Sequence, residues 1–430
     1  MALTLSTLSN DIILEILSPL SRKDLYNVAL VSSWLAGPAH RLLYRSIDLK
    51  LRFPTKAEHA MEDKNLHIFA RLVDTLTENP HLQPYVSRLC VKVWMYTRQH
   101  RFEDHANLLG LLPNLQSLSL QPPPYDFQLS MLASPVLQTL HLDFSNGRDH
   151  NGEGQSPDPL DIIERVLWAP HLRRLLVEGI SFTSVFSQIF QAHQSRSSPI
   201  TDLQFRTCSQ EKIGSFPNIL ACIKALERFT FEILTPWETS HGYAKGVEPA
   251  TLGQAIGMHS ESLVHLEIVS SDAAEFSQTS LFGGLAGYPK LKKLAIPDEL
   301  LYNVSDELLS LIDVLPPNLE ELQLQFAMLR TQGNDPSRSL RLDRLLQLAA
   351  AKEARIPALR RIIVWCQPCE CWSNDGSRYG PLSDMDDLRD VFQKVGVEFE
   401  FLSEPYFVET PFGGEESDRL FSWSEAEDEE

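Results

Sequence analysis

The chain has 430 residues, enough to bury a large core, and its 43% hydrophobic and 22% charged content is that of a globular protein. A formal net charge of −19, with 57 acidic against 38 basic side chains, argues against gripping DNA or RNA, which demands a basic face. No window approaches the ~18 consecutive apolar residues of a membrane span.

The start, Met1-Ala2-Leu3-Thr4-Leu5, has no basic flank and runs into Asp11 and Glu15, unlike a secretory signal. Cys90, Cys208 and Cys222 lie singly in apolar stretches, as reduced core cysteines do. The expected setting is intracellular, in cytoplasm or nucleus, with neither membrane nor nucleic acid as partner.

In chain order, Ile12, Ile13, Leu14, Ile16, Leu17 and Leu20 fall on one helix. At ~100° per residue they cover an arc of roughly 200°, wider than a surface helix needs. Ser9 or Asn10 is placed to cap it, and Pro19 lies near its end. Ser21 and Asp24 resemble a capping box that opens a second helix through Leu25, Val28, Ala29 and Val31. A third helical stretch carries Trp34 and Leu35 and is expected to break at Gly37-Pro38, before Leu42-Leu43-Tyr44. Three helices this short cannot bury so much apolar surface among themselves. The excess meets another protein or packs on the rest of the chain.

The run Leu8-Ser9-Asn10-Asp11-Ile12-Ile13-Leu14-Glu15-Ile16-Leu17, then Leu20-Ser21-Arg22-Lys23-Asp24-Leu25, then Val28-Ala29-Leu30-Val31-Ser32-Ser33-Trp34, resembles the F-box motif. Leu42-Leu43-Tyr44-Arg45-Ser46-Ile47-Asp48-Leu49 is similar to the close of many fungal F-boxes, which sets the motif at residues 5–49. One departure is Ser9, where the family usually has proline. The resemblance implies docking to the Skp-family adaptor of a Skp–cullin–F-box ubiquitin ligase. Carried over, the docking residues are Leu8, Ile12, Ile13, Ile16, Leu17, Leu25, Val31 and Trp34.

A linking helical region is expected over 50–83. Behind it a short pattern recurs: apolar, two variable, apolar, one variable, apolar. It reads Val86-Leu89-Val91, Leu115-Leu118-Leu120, Leu137-Leu140-Leu142, Leu172-Leu175-Val177 and Ile200-Leu203-Phe205. It continues through Leu226-Phe229-Phe231, Leu263-Leu266-Ile268, Leu291-Leu294-Ile296, Leu319-Leu322-Leu324 and Leu359-Ile362-Val364. In seven of these ten a proline stands two residues before the first apolar position, ending one segment and opening a strand. Helical stretches fill the gaps at Leu160 to Trp168, Phe182 to Ala192, Asp306 to Leu315 and Leu340 to Ala351.

This pattern resembles leucine-rich repeats. The fold expected is α/β: a three-helix F-box followed by an irregular leucine-rich-repeat solenoid with a curved parallel sheet over 84–402. An acidic tail, mostly disordered, follows over 403–430. The repeats are irregular: starts lie 22 to 40 residues apart, and the usual Asn or Cys after the strand is met only by Cys208. A plain α/β domain with buried strands is the other reading.

Period-2 alternation turns the variable positions out of the sheet. Their charged middle gives the candidate substrate-binding set Arg174, Glu178, Arg206, Arg228 and Glu232, and Ile363 with Trp365 makes an apolar end. A solvated sheet face reads equally well.

Cys366, Cys369 and Cys371 form the one cysteine cluster, but a structural zinc site needs four ligands; a loop with free thiols is the reading preferred. No Gly-x-Ser-x-Gly elbow, phosphate-cradling loop or His-Glu-x-x-His stands in the sequence, so no catalytic residue, metal or cofactor is expected. Asn146 to Pro159 and Thr235 to Pro249 look like insertions. The function expected is a substrate-recognition subunit that binds adaptor through the F-box and a protein through the repeats. A non-degradative interaction scaffold and, more remotely, an enzyme on a repeat scaffold are the alternatives.

Overall fold

The computed structural model describes residues 8–52, 59–94, 103–121, 123, 134–145, 159–182, 196–210, 216–234, 248–270, 282–301, 310–326, 336–366 and 383–402. The inner residues of the insertions, the residues after Cys366 to 382, and the tail from 403 lie outside the described residues.

Three helices come first: α1 (Asn10–Leu17), α2 (Arg22–Val31) and α3 (Ser33–Arg45). Each is opened by a serine. Ser9 Oγ accepts from Ile12 N, Ser21 Oγ from Asp24 N at 3.2 Å, and Ser32 Oγ from Leu35 N at 3.4 Å. Ser21 also donates its hydroxyl proton to Asp24 Oδ2 at 2.6 Å, so the N-cap half of the box read from sequence forms, with the carboxylate on the Ser21 hydroxyl.

The expected break at Gly37-Pro38 does not occur. Pro38 sits inside a continuous α3. Proline forfeits one hydrogen bond early in the helix, but Ala39 beside it is fully buried in the trio's own core. Leu35, Leu42 and Leu43 pack against that core as well, and the packing outweighs the local penalty.

Without a loop, α3 runs into the sheet. Strands β1 (Ser46–Arg52), β2 (Arg88–Trp94), β3 (Ser117–Gln121), β4 (Thr139–Asp143) and β5 (Arg174–Glu178) pair in order, every pair parallel. The two-residue β6 (Ser181–Phe182) pairs only with β7 (Asp202–Gln210). The ladder continues through β8 (Arg228–Leu234), β9 (His265–Ser270), β10 (Lys293–Pro297), β11 (Glu321–Phe326), β12 (Arg361–Cys366) and β13 (Glu398–Leu402).

Helices lie between the strands: α4 (His59–Glu78), α5 (Glu103–Gly110), α6 (Pro159–Leu167), α7 (Phe216–Cys222), α8 (Pro249–Gly257), α9 (Asp298–Leu301), α10 (Leu311–Val314), α11 (Pro336–Arg355) and α12 (Ser383–Lys394). Strands taken strictly in sequence, each parallel to the last, make the solenoid-like topology that the repeat pattern implied. Of the helices expected between strands, Leu160 to Trp168 and Leu340 to Ala351 match α6 and α11. Asp306 to Leu315 is helical only at α10 among the described residues, and Phe182 belongs to β6, with the rest of its segment outside them.

The second and fourth residues of every strand but β6 point into one continuous core. Leu118, Leu140, Leu175, Leu203, Phe229, Leu266, Leu322 and Ile362 are completely enclosed. A ladder of backbone bonds just ahead of the strands stitches the turns together, from Ser87 N to Arg45 O, through Glu227 N to Thr201 O, to Glu398 N to Arg360 O. Asn114 and Asn318 add side-chain bonds to the carbonyls of Pro84 and Pro289.

One boundary differs from the sequence reading, and one rung inside the other was not read. The sheet begins at Ser46, not at residue 84: of the segment read as the close of the F-box, Leu42 to Arg45 end α3 and Ser46 to Leu49 open β1, and the expected linker over 50–83 holds the α4 crossover to β2. Tyr44, Ile47 and Leu49 supply the apolar pattern of this first rung, and all three pack on the large core. At the other end β13 is a twelfth rung. Its first apolar position is held by Gly396, at φ +71°, which hides the pattern. Among the described residues no helix is long and apolar enough to cross a membrane.

Candidate partner-binding surfaces

The helical trio owns a separate small core of Ile13, Leu17, Leu25 and Ala39. Six other large apolar side chains of the trio face out. Ile12 and Ile16, one turn apart on α1, are 45% and 50% exposed. On α2, Tyr26 and Leu30 are 58% and 68% exposed, and across the α2–α3 junction Val31 and Trp34 are 86% and 37% exposed. Six large apolar side chains open on the 31 helical residues of α1–α3 are more than scattered surface hydrophobics, and such groups mark interaction sites.

The sequence-derived docking set therefore divides. Ile12, Ile16, Val31 and Trp34 are accessible, Leu8 is half-buried against the small core, and Ile13, Leu17 and Leu25 are enclosed within it. The enclosed three hold the helices together and offer a partner almost no surface. Tyr26 and Leu30 were not in the set, because a wide apolar arc does not reveal which side meets the neighbouring helix.

The second surface is the outward face of β3 to β9. Register puts its side chains in rows across the strands. In the row at the strand starts, Asp202 lies between Arg174 and Arg228, its Oδ2 at 3.2 Å from Arg174 Nε and 4.0 Å from Arg228 Nε. Burial pulls the Arg174 guanidinium below its ordinary value, and Asp202 works against that pull. In the middle row, Thr230 Oγ1 donates to Glu267 Oε2 at 3.0 Å, and His265 Nε2 lies 3.7 Å from the same carboxylate.

The row at the strand ends runs Asp143, Glu178, Arg206, with Glu232 beyond. Burial pushes Glu232 above the usual carboxylate range, which the Arg206 charge partly reverses. For Glu178 burial acts upward, but the hydrogen bond and charge of His141 outweigh it and leave a net downward shift. Cys208, read from sequence as the one post-strand position that met the repeat grammar, lies within β7, is enclosed, and has its thiol 3.2 Å from Arg206 O.

This face is less open than an exposed strand face. Ser119, Gln204, Thr230 and Glu267 are buried although they point outward, and so is Leu176. The apolar end formed by Ile363 and Trp365 is enclosed and presents nothing to a partner. Of the five charged residues selected from sequence, Arg174 pairs with Asp202 and Glu178 with His141, while Arg228 is half exposed. His141, Asp143, Asp202 and Glu267 were legible as outward positions. Their importance came only with the register, which sets them against residues 22 to 37 positions away. Cys369 and Cys371 lie outside the described residues.

No family model matches this sequence, and no curated protein matches it.

Proposed function

We propose that the chain is the substrate-recognition subunit of a Skp–cullin–F-box ubiquitin ligase. It docks the Skp-family adaptor through the outward apolar side chains of α1–α3 and holds a protein partner on the outward face of the leucine-rich-repeat sheet. The observation that carries this reading is the exposure of Ile12, Ile16, Leu30, Val31 and Trp34 on helices whose own core is already complete. A folded trio keeps such residues in water at a cost of roughly 1.5–3 kcal/mol per fully exposed side chain relative to burial, so a partner that covers them gains that energy.

The sheet supports the second half. It is long, parallel and stitched at every turn, and its outward charges are held in fixed rows rather than on mobile loops. The chain performs no bond chemistry in this account; it raises the local concentration of its partner beside the transferring enzyme.

Removing the first 50 residues is a poor test, because it takes away β1 and exposes the edge of β2. Ile16→Asp with Val31→Asp leaves the sheet intact. In cells, a partner of the repeat face is expected to accumulate when this variant replaces the parent, while still being captured by it. A partner level unaffected by the variant would remove degradation from the account and leave an interaction scaffold.

A further inference from the structure

Strands β4 and β5 end on a like-charged pair. Asp143 and Glu178 are register partners, so their carboxylates stand opposite one another on adjacent strands. Like charges in that position destabilise a sheet when both are ionised. Asp143 is only 6% exposed, and its Oδ1 accepts from Ser145 N at 2.8 Å. Gly179, at φ +70°, keeps the two strand ends close: a Cβ there would fall 2.4 Å from Ser145 N.

His141 joins this pair from the same face of β4. Its Nε2 lies 3.3 Å from Glu178 Oε2, and its Nδ1 lies 3.0 Å from Ser119 Oγ on β3. When a bound ion displaces the Nε2 proton that faces Glu178, the ring keeps its proton on Nδ1, donates to Ser119 and turns the Nε2 lone pair toward the carboxylates. A histidine oriented through its far nitrogen in this way is set up as a metal ligand.

The donor atoms of His141, Asp143 and Glu178 all lie within 4.8 Å of one another. Ligands at ~2.1 Å from a tetrahedral ion stand about 3.4 Å apart. The His141–Glu178 spacing already meets that figure, and Asp143 closes the rest by a side-chain shift of at most about 1.4 Å. Lys92 and Arg206 lie close enough to offset part of the Glu178 charge.

We infer that His141, Asp143 and Glu178 form a binding site for one divalent transition-metal ion of the zinc or manganese class. One imidazole nitrogen with two carboxylates suits these ions, whereas calcium and magnesium favour all-oxygen sets. Three protein ligands leave coordination positions on the outward face, where a water or a partner's side chain completes the shell. The site is independent of adaptor docking and stands or falls without it.

The test uses the full chain, stripped with chelator and dialysed separately against zinc, manganese and calcium. Elemental analysis counts metal per chain, cobalt(II) absorption reports the ligand field, and thermal melts follow stability. One zinc or manganese per chain is expected, with a melting temperature raised by the ion. Asp143→Asn and Glu178→Gln, each close to isosteric, should weaken binding at least tenfold while the stripped variants melt no lower than the stripped parent. Cys366→Ser with Cys369→Ser should leave binding unchanged. Absence of stoichiometric zinc or manganese binding, preference for calcium, or binding that survives both carboxylate substitutions would overturn the assignment.

Discussion

Replacing Ile16 and Val31 together by aspartate separates docking from folding. Both side chains lie in the last turns of their helices, half exposed and almost fully exposed respectively, and neither belongs to the small core. Complete burial of such a side chain is worth ~1.5–3 kcal/mol, so scaling by exposure gives about 2 kcal/mol for Val31 and about 1 kcal/mol for Ile16 in a contact that covers them. The sum, about 3 kcal/mol, is already a factor of about 100 in Kd, and an aspartate carried into an apolar contact adds its desolvation. Against this, helix propensity and an unfavourable charge at each helix C-terminus cost the free chain only about 0.5–1 kcal/mol per site. Calorimetric titration of the parent and the variant with a purified Skp-family adaptor, beside thermal melts of each, is the assay. A loss of at least ~100-fold in affinity with a melt shifted by a few degrees is expected. A Kd within threefold of the parent would refute the reasoning and move the adaptor off this face.

Leu17→Asp should behave differently: Leu17 is buried among Ile13, Leu25 and Ala39, so adaptor binding is lost through unfolding of α1–α3, visible as missing helical signal while the sheet melts as before. Leu140→Ala empties a fully enclosed site in β4 and should cost ~2–5 kcal/mol in denaturant unfolding. Arg341→Leu removes the guanidinium bonded at 2.6 Å through Nε to the fully buried Asp298 carboxylate. A loss of ~3–5 kcal/mol is expected, largely recovered by adding Asp298→Leu. His259 is buried, donates from Nε2 to Leu220 O across 3.0 Å, and has its pKa lowered from 6.5 by burial. The unfolded chain then binds the extra proton first, so stability should fall as pH drops below about 6.5, and His259→Gln should flatten that slope in urea titrations at stepped pH.

Much of the sheet was legible because each rung repeats one short apolar pattern. The ten rungs read from it are β2–β5 and β7–β12. The end rungs escaped for separate reasons. Tyr44-Ile47-Leu49 carries the pattern with an aromatic in first place, but the same residues also close a helical motif, and one stretch was given one role. At β13 Gly396 removes the first apolar residue altogether. With β1 unseen, α4 had nothing to connect and looked like a linker.

The surfaces were legible in part. Alternation along a strand reveals which residues point outward, but not which of them meet. Asp143 and Glu178 face each other only because the crossover between them brings residues 35 apart into register. On the helices the limit was geometric. An apolar arc of roughly 200° has two usable faces, and only the packing of α1 and α2 on α3 decides that Ile13 and Leu17 turn inward while Ile12 and Ile16 remain open. Pro38 was misjudged because its local cost is visible in sequence, whereas the burial of Ala39 beside it is a tertiary gain.

The most direct measurement is the heat of mixing of the purified full chain with a purified Skp-family adaptor, taken at several temperatures. Docking on the open side of α1–α3 predicts saturable one-to-one binding with a negative heat-capacity change, the mark of apolar surface leaving water. An absence of saturable binding, or binding of equal strength by the Ile16→Asp, Val31→Asp chain, would contradict the account.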